Sequence, residues 1–486
     1  MKSAYEFIPI LFFHVLKQSL LYSNTRMASL IKTKRGLDIE ISGKAREIIG
    51  DALPSEVIAM IPDHYHGVIP KIMVKTGDKV KAGTPVFHDK TFEGMNFVSP
   101  VSGEILAVNR GERRKILSIA IAREDKIEYE EFNPPPLDKL SGEEVKAWLL
   151  RAGLWSYIKQ RPYDVIADPN RNPKAVFISS FDSAPLAPNN EFVMRGRFED
   201  FQTGIDALAK LTAGKIHLGI RAGSESRDFR GTRGVEITEF QGHHPIGNVG
   251  VQINHVDPVN KGETVFTVGA QDVLFLGRFF NKGIVDLSRL VALTGPEVLE
   301  TQYYLTLPGA SIEPIVKGNT RAGIPLRYVS GNALSGLRIE ADGAIDPYAT
   351  QITVLDEGSE TRELLGWAMP RINRFSATNM YFSKLLRNPL AEMVFGKIRF
   401  KWDARLMGGR RGIIMSNEYD KVLPMDILPE FLIKAMLAQN IDKMENLGAY
   451  EVAPEDFALC EFVDTSKLPI QSIVRNALDY MKSELE

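Results

Sequence analysis

From about residue 60 to 122 the chain carries only β signals, closely interrupted by turn residues: Gly67, Val68 and Ile69, then Ile72 and Val74, the turn Thr76-Gly77-Asp78, Val80, Ala82-Gly83-Thr84-Pro85 and Val86. Strands this short, cornered by glycine and proline, predict a small barrel. Ser99-Pro100-Val101-Ser102-Gly103-Glu104-Ile105 echoes His66-Gly67-Val68-Ile69, which suggests two quasi-twofold hairpins.

That repeat is a lipoyl- or biotinyl-like signature, and the unit is placed at residues 30–132. Asn133-Pro134-Pro135-Pro136 cannot continue a sheet and reads as a linker. Beyond it, apolar runs such as Ala175–Ser179 and Ile216–Ile220 alternate with helical stretches such as Phe198–Leu211, which predicts an α/β layer over 133–262. Residues 263–365 return to β character, with Val265–Val268, Val291–Leu293, Tyr303–Leu307 and Gln351–Leu355 between glycines and prolines. From 366 to 486 the end is helical: Pro429 suits a first helical turn, and Ile470, Ile473, Val474, Ala477, Leu478 and Met481 share one face.

Composition narrows the function. With 59 Lys and Arg against 61 Asp and Glu, the net charge of -2 offers no basic field for nucleic acid. No apolar run reaches the roughly 18 residues needed to span a bilayer. The lone Cys460 forbids an intrachain disulfide and any site built from several thiolates, and it fits a reducing, cytoplasmic address. Residues 1–29 stand apart. Phe7–Leu16 is apolar, but only Lys2 precedes it and no small-residue cleavage site follows before Tyr22–Arg26, so Met27 is expected to open the functional chain.

Four local features bear on chemistry. Lys90, in His88-Asp89-Lys90-Thr91-Phe92, is the one candidate for a carrier lysine of lipoate or biotin; the long stretch Thr91–Asn96 after it is not the tight hairpin tip a carrier needs, and an unmodified barrel is favoured. His243, His244 and His255 fall close together with Asn254 in a Gly- and Pro-rich segment, read as a structural, docking or quinone-contacting loop because neither Cys nor Glu completes a metal set. Arg221-Ala222-Gly223-Ser224 and Arg195-Gly196-Arg197 are the nearest approaches to a phosphate-cradling loop, and neither fits one. Arg113-Arg114-Lys115 and Gly408-Gly409-Arg410-Arg411-Gly412 are basic enough to hold a phosphate or an acidic partner, although solvated surface is the commoner explanation.

Lys34–Ile39, the barrel, Arg161-Pro162-Tyr163, His244-Pro245-Ile246-Gly247 with Asn254–Val259, Ala292–Pro296 and Leu423–Pro429 form one ordered pattern. It resembles the NqrA family, the A subunits of the sodium-pumping NADH:quinone reductase (Nqr), related to the C subunit of the Rnf complex. The resemblance covers residues 30 to 486. It implies a multidomain α+β and α/β fold of four units: a lipoyl-like barrel-sandwich hybrid, a Rossmann-like α/β domain, a β-grasp domain of the SLBB type, and a C-terminal helical domain like a cluster-less ferredoxin-type end. It also implies a peripheral position on the cytoplasmic face of the bacterial inner membrane. Its partners would be the other five subunits (B to F) of the Nqr complex, above all the membrane-embedded NqrB.

By the same resemblance the complex passes electrons from NADH through flavins and iron centres to ubiquinone or menaquinone and exports Na+, while this chain binds no cofactor and has no evident catalytic residue. A flavin loop of the relatives would fall at Ala152–Tyr157, where one glycine is followed by bulky aromatics. A cluster-binding end would fall at Asp456–Asp464, where Cys460 is the one thiol. The alternative is a flavin- or NADH-binding dehydrogenase component.

Overall fold

The computed structural model describes residues 29–359 and 398–486 and, between them, residues 371, 374–377, 381–383 and 389–395. Residues 1–28, with Met27 and the apolar stretch Phe7–Leu16, lie outside the described residues.

Two small antiparallel sheets form the barrel. One runs Val57–Met60, Ile116–Arg123, Gly103–Arg110, Lys79–Val80; the other runs Pro70–Ile72, Pro85–Asp89, Asn96–Val98. Phe87 and Phe97 stack between them at 4.6 Å with Tyr65 edge-on, closing an apolar centre that neither sheet could bury alone.

The α/β layer is a seven-stranded sheet ordered Ser29–Lys32, Glu236–Gln241, Lys215–Arg221, Ala175–Ser179, Val265–Val268, Ile158–Arg161, Val165–Ile166. The first five strands are parallel and the last two antiparallel. Helices cover both faces, so the central strands read as continuous apolar runs.

Ser29–Lys32 pairs with Glu236–Gln241 in this sheet and Ile49–Gly50 with Tyr303–Thr306 in the third, so the opening strands of the segment assigned to the barrel extend other sheets, and the strands of the two barrel sheets begin at Val57. Val265–Val268, assigned by sequence to the following unit, lies between Ala175–Ser179 and Ile158–Arg161. Helix Ala270–Lys282 follows it, in place of the expected β segment, and ends on Gly283 at φ 68°. The α/β layer therefore runs past residue 262 to about 283.

The third sheet is ordered Leu337–Ile339, Leu326–Ser330, Gln351–Asp356, Arg289–Thr294, Tyr303–Thr306, Ile49–Gly50. The helical end packs Pro429–Leu437, Ala458–Val463 and Ile470–Leu485 onto the α/β layer in one core with Val251, Ile253 and Phe240. In the last helix Val474, Leu478 and Met481 are fully buried, each contributing about 1.5–3 kcal/mol of apolar transfer.

Candidate functional site

The strand order of the α/β layer reverses beside Ala175–Ser179. The chain first adds Lys215–Arg221 and Glu236–Gln241 on one side, then crosses back to add Val265–Val268 on the other. In an open parallel sheet the loops leaving the carboxyl ends diverge at such a point and leave a crevice. Here the crevice measures 240 Å³. Its walls are Phe181 and Asp182 after one strand, His244 to Val249 at the start of helix Val249–Val256, and Gly269 to Asp272 at the start of helix Ala270–Lys282. Asn332, Ser335 and Tyr348 of the third unit and Glu455 of the helical unit close it. An adjoining 350 Å³ cavity shares Asp182, Tyr348 and Glu455 and reaches His64 and His66 of the barrel.

A helix start offers free N–H groups and a positive dipole end, the usual seat of a nucleotide phosphate. Both helix starts at this crevice already carry a carboxylate of the chain. Asp456 lies so close to Gly250 that a Cβ there would sit 2.2 Å from its Oδ2. Its oxygens accept from Asn248 Nδ2 at 3.4 Å and from the Ala453 N–H at 2.9 Å. At the second helix Asp272 folds back onto Gly269, where a Cβ would lie 2.5 Å from Oδ2, and accepts from Arg289 Nη2 at 2.7 Å. Neither helix end has room or free positive charge for a phosphate, so these two helix starts do not fit the phosphate of a flavin or nicotinamide nucleotide.

Below the crevice mouth lies an ionic knot. Arg161, 1% exposed, pairs with Asp164 and stands 3.7 Å from Glu455. Arg475 of the last helix donates to the carbonyls of Tyr163 at 2.5 Å and Asp164 at 3.2 Å, fixing the helical end on this turn. Burial pushes the Asp456 carboxyl up to about 6, outweighing the pull of Arg161. A carboxyl raised in the folded state stabilises the fold when protonated, so its contribution is present below about pH 4 and lost as pH rises through 6. Relative to the parent, Asp456→Asn is expected to gain up to about 3 kcal/mol between pH 4 and 7.5, the equivalent of about two pKa units. Urea midpoints across that range test this, and a constant difference contradicts it.

The structure separates the four residues singled out in the histidine segment. His244 lines the crevice; burial lowers its imidazole to about 4, so it is neutral at pH 7. Its Nδ1 lies 3.0 Å from Ser183 Oγ, and Ser183 Oγ accepts the Gly247 N–H at 2.8 Å. His243 faces solvent and meets Asp38 at 2.7 Å. Asn254 and His255 sit toward the other end of helix Val249–Val256, a helix where the sequence suggested a continuous turned loop. His255 Nδ1 is 2.9 Å from the Val251 carbonyl oxygen; Asn254 donates to Glu451 at 2.7 Å and accepts the Asp426 N–H at 3.0 Å. With the Leu37 N–H on the His244 carbonyl and the Gly36 N–H on the Lys421 carbonyl, these bonds bring together four segments of the ordered sequence pattern.

Gly153 adopts φ 71°, and a Cβ there would approach Val98 to 2.9 Å, so the segment 152–157 is pressed onto the barrel. Leu154, Trp155 and Tyr157 fill the core between the two units, and Trp155 Nε1 donates to the Ala167 carbonyl at 2.7 Å. Cys460 is buried in the helical core, which pushes its thiol well up. Among the described residues no three His, Cys, Asp or Glu side chains converge to hold a metal ion. Lys90 opens the bend after Pro85–Asp89, its N–H bonded to the Ile69 carbonyl at 2.9 Å.

Sequence reasoning missed Asp164, Asp272, Gln271, Glu455 and the inward role of Asp456. Gly250 and Gly269 carried the local signal, since each admits a carboxylate against a helix start.

Fold and crevice together define a class: a multidomain α+β and α/β protein joining a barrel-sandwich hybrid, a Rossmann-like layer and an SLBB-type sheet, with helices at its C-terminus. Family profiles match in the same order, the NqrA N-terminal barrel-sandwich hybrid domain over residues 31–124, the NqrA second alpha/beta domain over 140–285 and the NQRA C-terminal domain over 290–341. The A subunit of the Na(+)-translocating NADH-quinone reductase is 35% identical over 460 residues in Neisseria meningitidis serogroup C and 36% over 458 residues in Hahella chejuensis, each spanning 94% of this chain and 100% of the relative. The Yersinia pseudotuberculosis serotype I protein of that name is 35% identical over 458 residues, with the same coverage. The chain belongs to the NqrA family, the A subunits of the Na(+)-translocating NADH-quinone reductase.

Proposed function

We propose that this chain is the peripheral, cytoplasm-facing component of a sodium-pumping NADH:quinone reductase and contributes to its quinone-reduction step without holding a flavin, nicotinamide or metal of its own. The complex would oxidise NADH, reduce ubiquinone or menaquinone and export Na+, with this chain docked on the membrane-embedded NqrB among the other four. Among the described residues no helix is long and apolar enough to cross a membrane, which agrees with a docked role.

The observation that carries this reading is the crevice at the carboxyl edge of the sheet, where Asp456 and Asp272 take the positions a nucleotide phosphate needs. An uncharged quinone head has no such requirement. Tyr348, Gln271 and neutral His244 would offer it an aromatic face and polar edges, and of the four residues of the histidine segment His244 alone lines the crevice, which supports it as the one to take part. The same two carboxylates weigh against the alternative of a flavin- or NADH-binding component.

Equilibrium titration of the full chain with a short-chain ubiquinone, FMN and NADH tests the reading. Saturable binding of the quinone alone is expected, while stoichiometric FMN or NADH binding contradicts it.

A further inference from the structure

A third cavity, 520 Å³, lies between the third sheet and the helical end, its Ala333 and Gly336 alternating with the crevice residues Asn332, Leu334 and Ser335. Six cationic side chains line it: Arg327, Arg338, Arg374, Lys401, Arg405 and Arg410. Three carboxylates oppose them. Asp403 pairs with Arg374 at 2.5 Å and Arg405 at 2.8 Å; Glu357 pairs with Arg327 at 2.6 Å and lies 4.0 Å from Arg338; Glu461 accepts the Gln471 N–H at 2.8 Å. Lys401 and Arg410, both exposed, form no ion pair among the described residues. A concentrated positive charge on a chain of net charge -2 points to an anion from outside.

The rest of the lining is apolar. Trp402 stacks on Phe462 at 5.2 Å, with Phe375 tilted against both. At the mouth Leu406 is 60% and Met407 46% exposed. From there the chain runs through Gly408-Gly409-Arg410-Arg411-Gly412 to Ile414, 58% exposed, and Met415, 43% exposed. The Arg411 N–H on the Ser466 carbonyl at 2.8 Å and Ser466 Oγ on the Gly412 carbonyl at 2.9 Å pin this loop, so its large apolar side chains are held outward. Inorganic phosphate would neutralise the cations and leave those side chains in water. A phosphate joined to acyl chains answers both halves of the site.

We propose that this cavity binds the phosphate headgroup of an anionic phospholipid, Arg410 and Lys401 engaging the phosphate while Leu406, Met407, Ile414 and Met415 enter the acyl boundary. The proposal rests on the peripheral membrane reading above and adds to it which surface meets the bilayer and which lipid class it selects.

Flotation of the full chain with vesicles of phosphatidylcholine alone, or mixed with phosphatidylglycerol, tests it. Binding that requires phosphatidylglycerol is expected. It should weaken tenfold or more in Arg410→Glu and several-fold in Leu406→Ser, both at exposed positions where folding is checked by circular dichroism, and resist competition by inorganic phosphate and FMN. Absence of binding, equal binding to both vesicles, indifference to Arg410→Glu, or displacement by free phosphate or FMN would each overturn it. A chain that ignores phosphatidylglycerol vesicles yet copurifies with the reductase sinks the lipid site and leaves the assembly reading intact.

Discussion

Replacing Arg161 by Met is expected to lower the stability of the α/β layer and the helical end by about 3–5 kcal/mol, the cost of breaking a buried pair from one side. The guanidinium is 1% exposed and is the shared cation for Asp164, Glu455 and Asp456. Methionine fills much of the volume and leaves Asp164 and Asp456 facing each other at low dielectric. Asp456, already raised by burial, can take up a proton and relieve part of that repulsion, so the loss should be larger at pH 8 than at pH 5. Chemical denaturation followed by tryptophan fluorescence at the two pH values measures both effects. A loss below about 1 kcal/mol, typical of an exposed pair, contradicts the account.

Trp155→Ala is expected to cost about 3–5 kcal/mol and to create no flavin site. The indole is fully buried, meets Phe266 edge-on at 6.0 Å and donates to the Ala167 carbonyl. Truncation leaves a cavity and an orphaned carbonyl acceptor. If the aromatics at 154–157 merely plugged a flavin pocket, removing one would open it. They are instead the joint between barrel and sheet, with Gly153 against Val98, so the vacated space faces the core rather than solvent. The measurements are a thermal melt and the flavin absorbance of the purified variant after incubation with FMN; gained flavin with little change in melting would contradict this reading.

Local patterning told much of the fold and little of the site. Ala175–Ser179 and the Ile216–Ile220 part of Lys215–Arg221 are legible because buried parallel strands read as mostly apolar runs, and Phe198–Ala209 because its apolar residues recur at helical spacing. Helix Ala270–Lys282 falls inside a stretch expected to be β in character; it is buried from Ala270 to Phe279, which erases the periodicity that marks a half-exposed helix. Its glycine ends, Gly269 and Gly283, are the better signal. Placing Val265–Val268 inside the sheet depends on a crossover that no local pattern encodes.

The site is harder still to read, because its groups are remote in sequence. Asp456 reaches Gly250 from nearly half the chain away, and Arg289 reaches Asp272 across a strand boundary. The family pattern does name His244, Asn254 and Asp426, and the hydrogen bonds explain that grouping: Asn254 holds the Asp426 backbone, and Leu37 holds the His244 carbonyl. Those residues belong together as a clasp between the α/β layer and its neighbours, with only His244 turned toward the crevice.

The proposed role of this chain, a cofactor-free member of a sodium-pumping quinone reductase, is open to a test on the native assembly. The measurement is to tag the chain in its native source, solubilise the membranes gently and assay the purified material for NADH-driven, sodium-dependent quinone reduction. An active assembly is expected in which this chain, once separated, carries no flavin or metal; recovery of the chain alone, or with a stoichiometric flavin of its own, would overturn the proposed role.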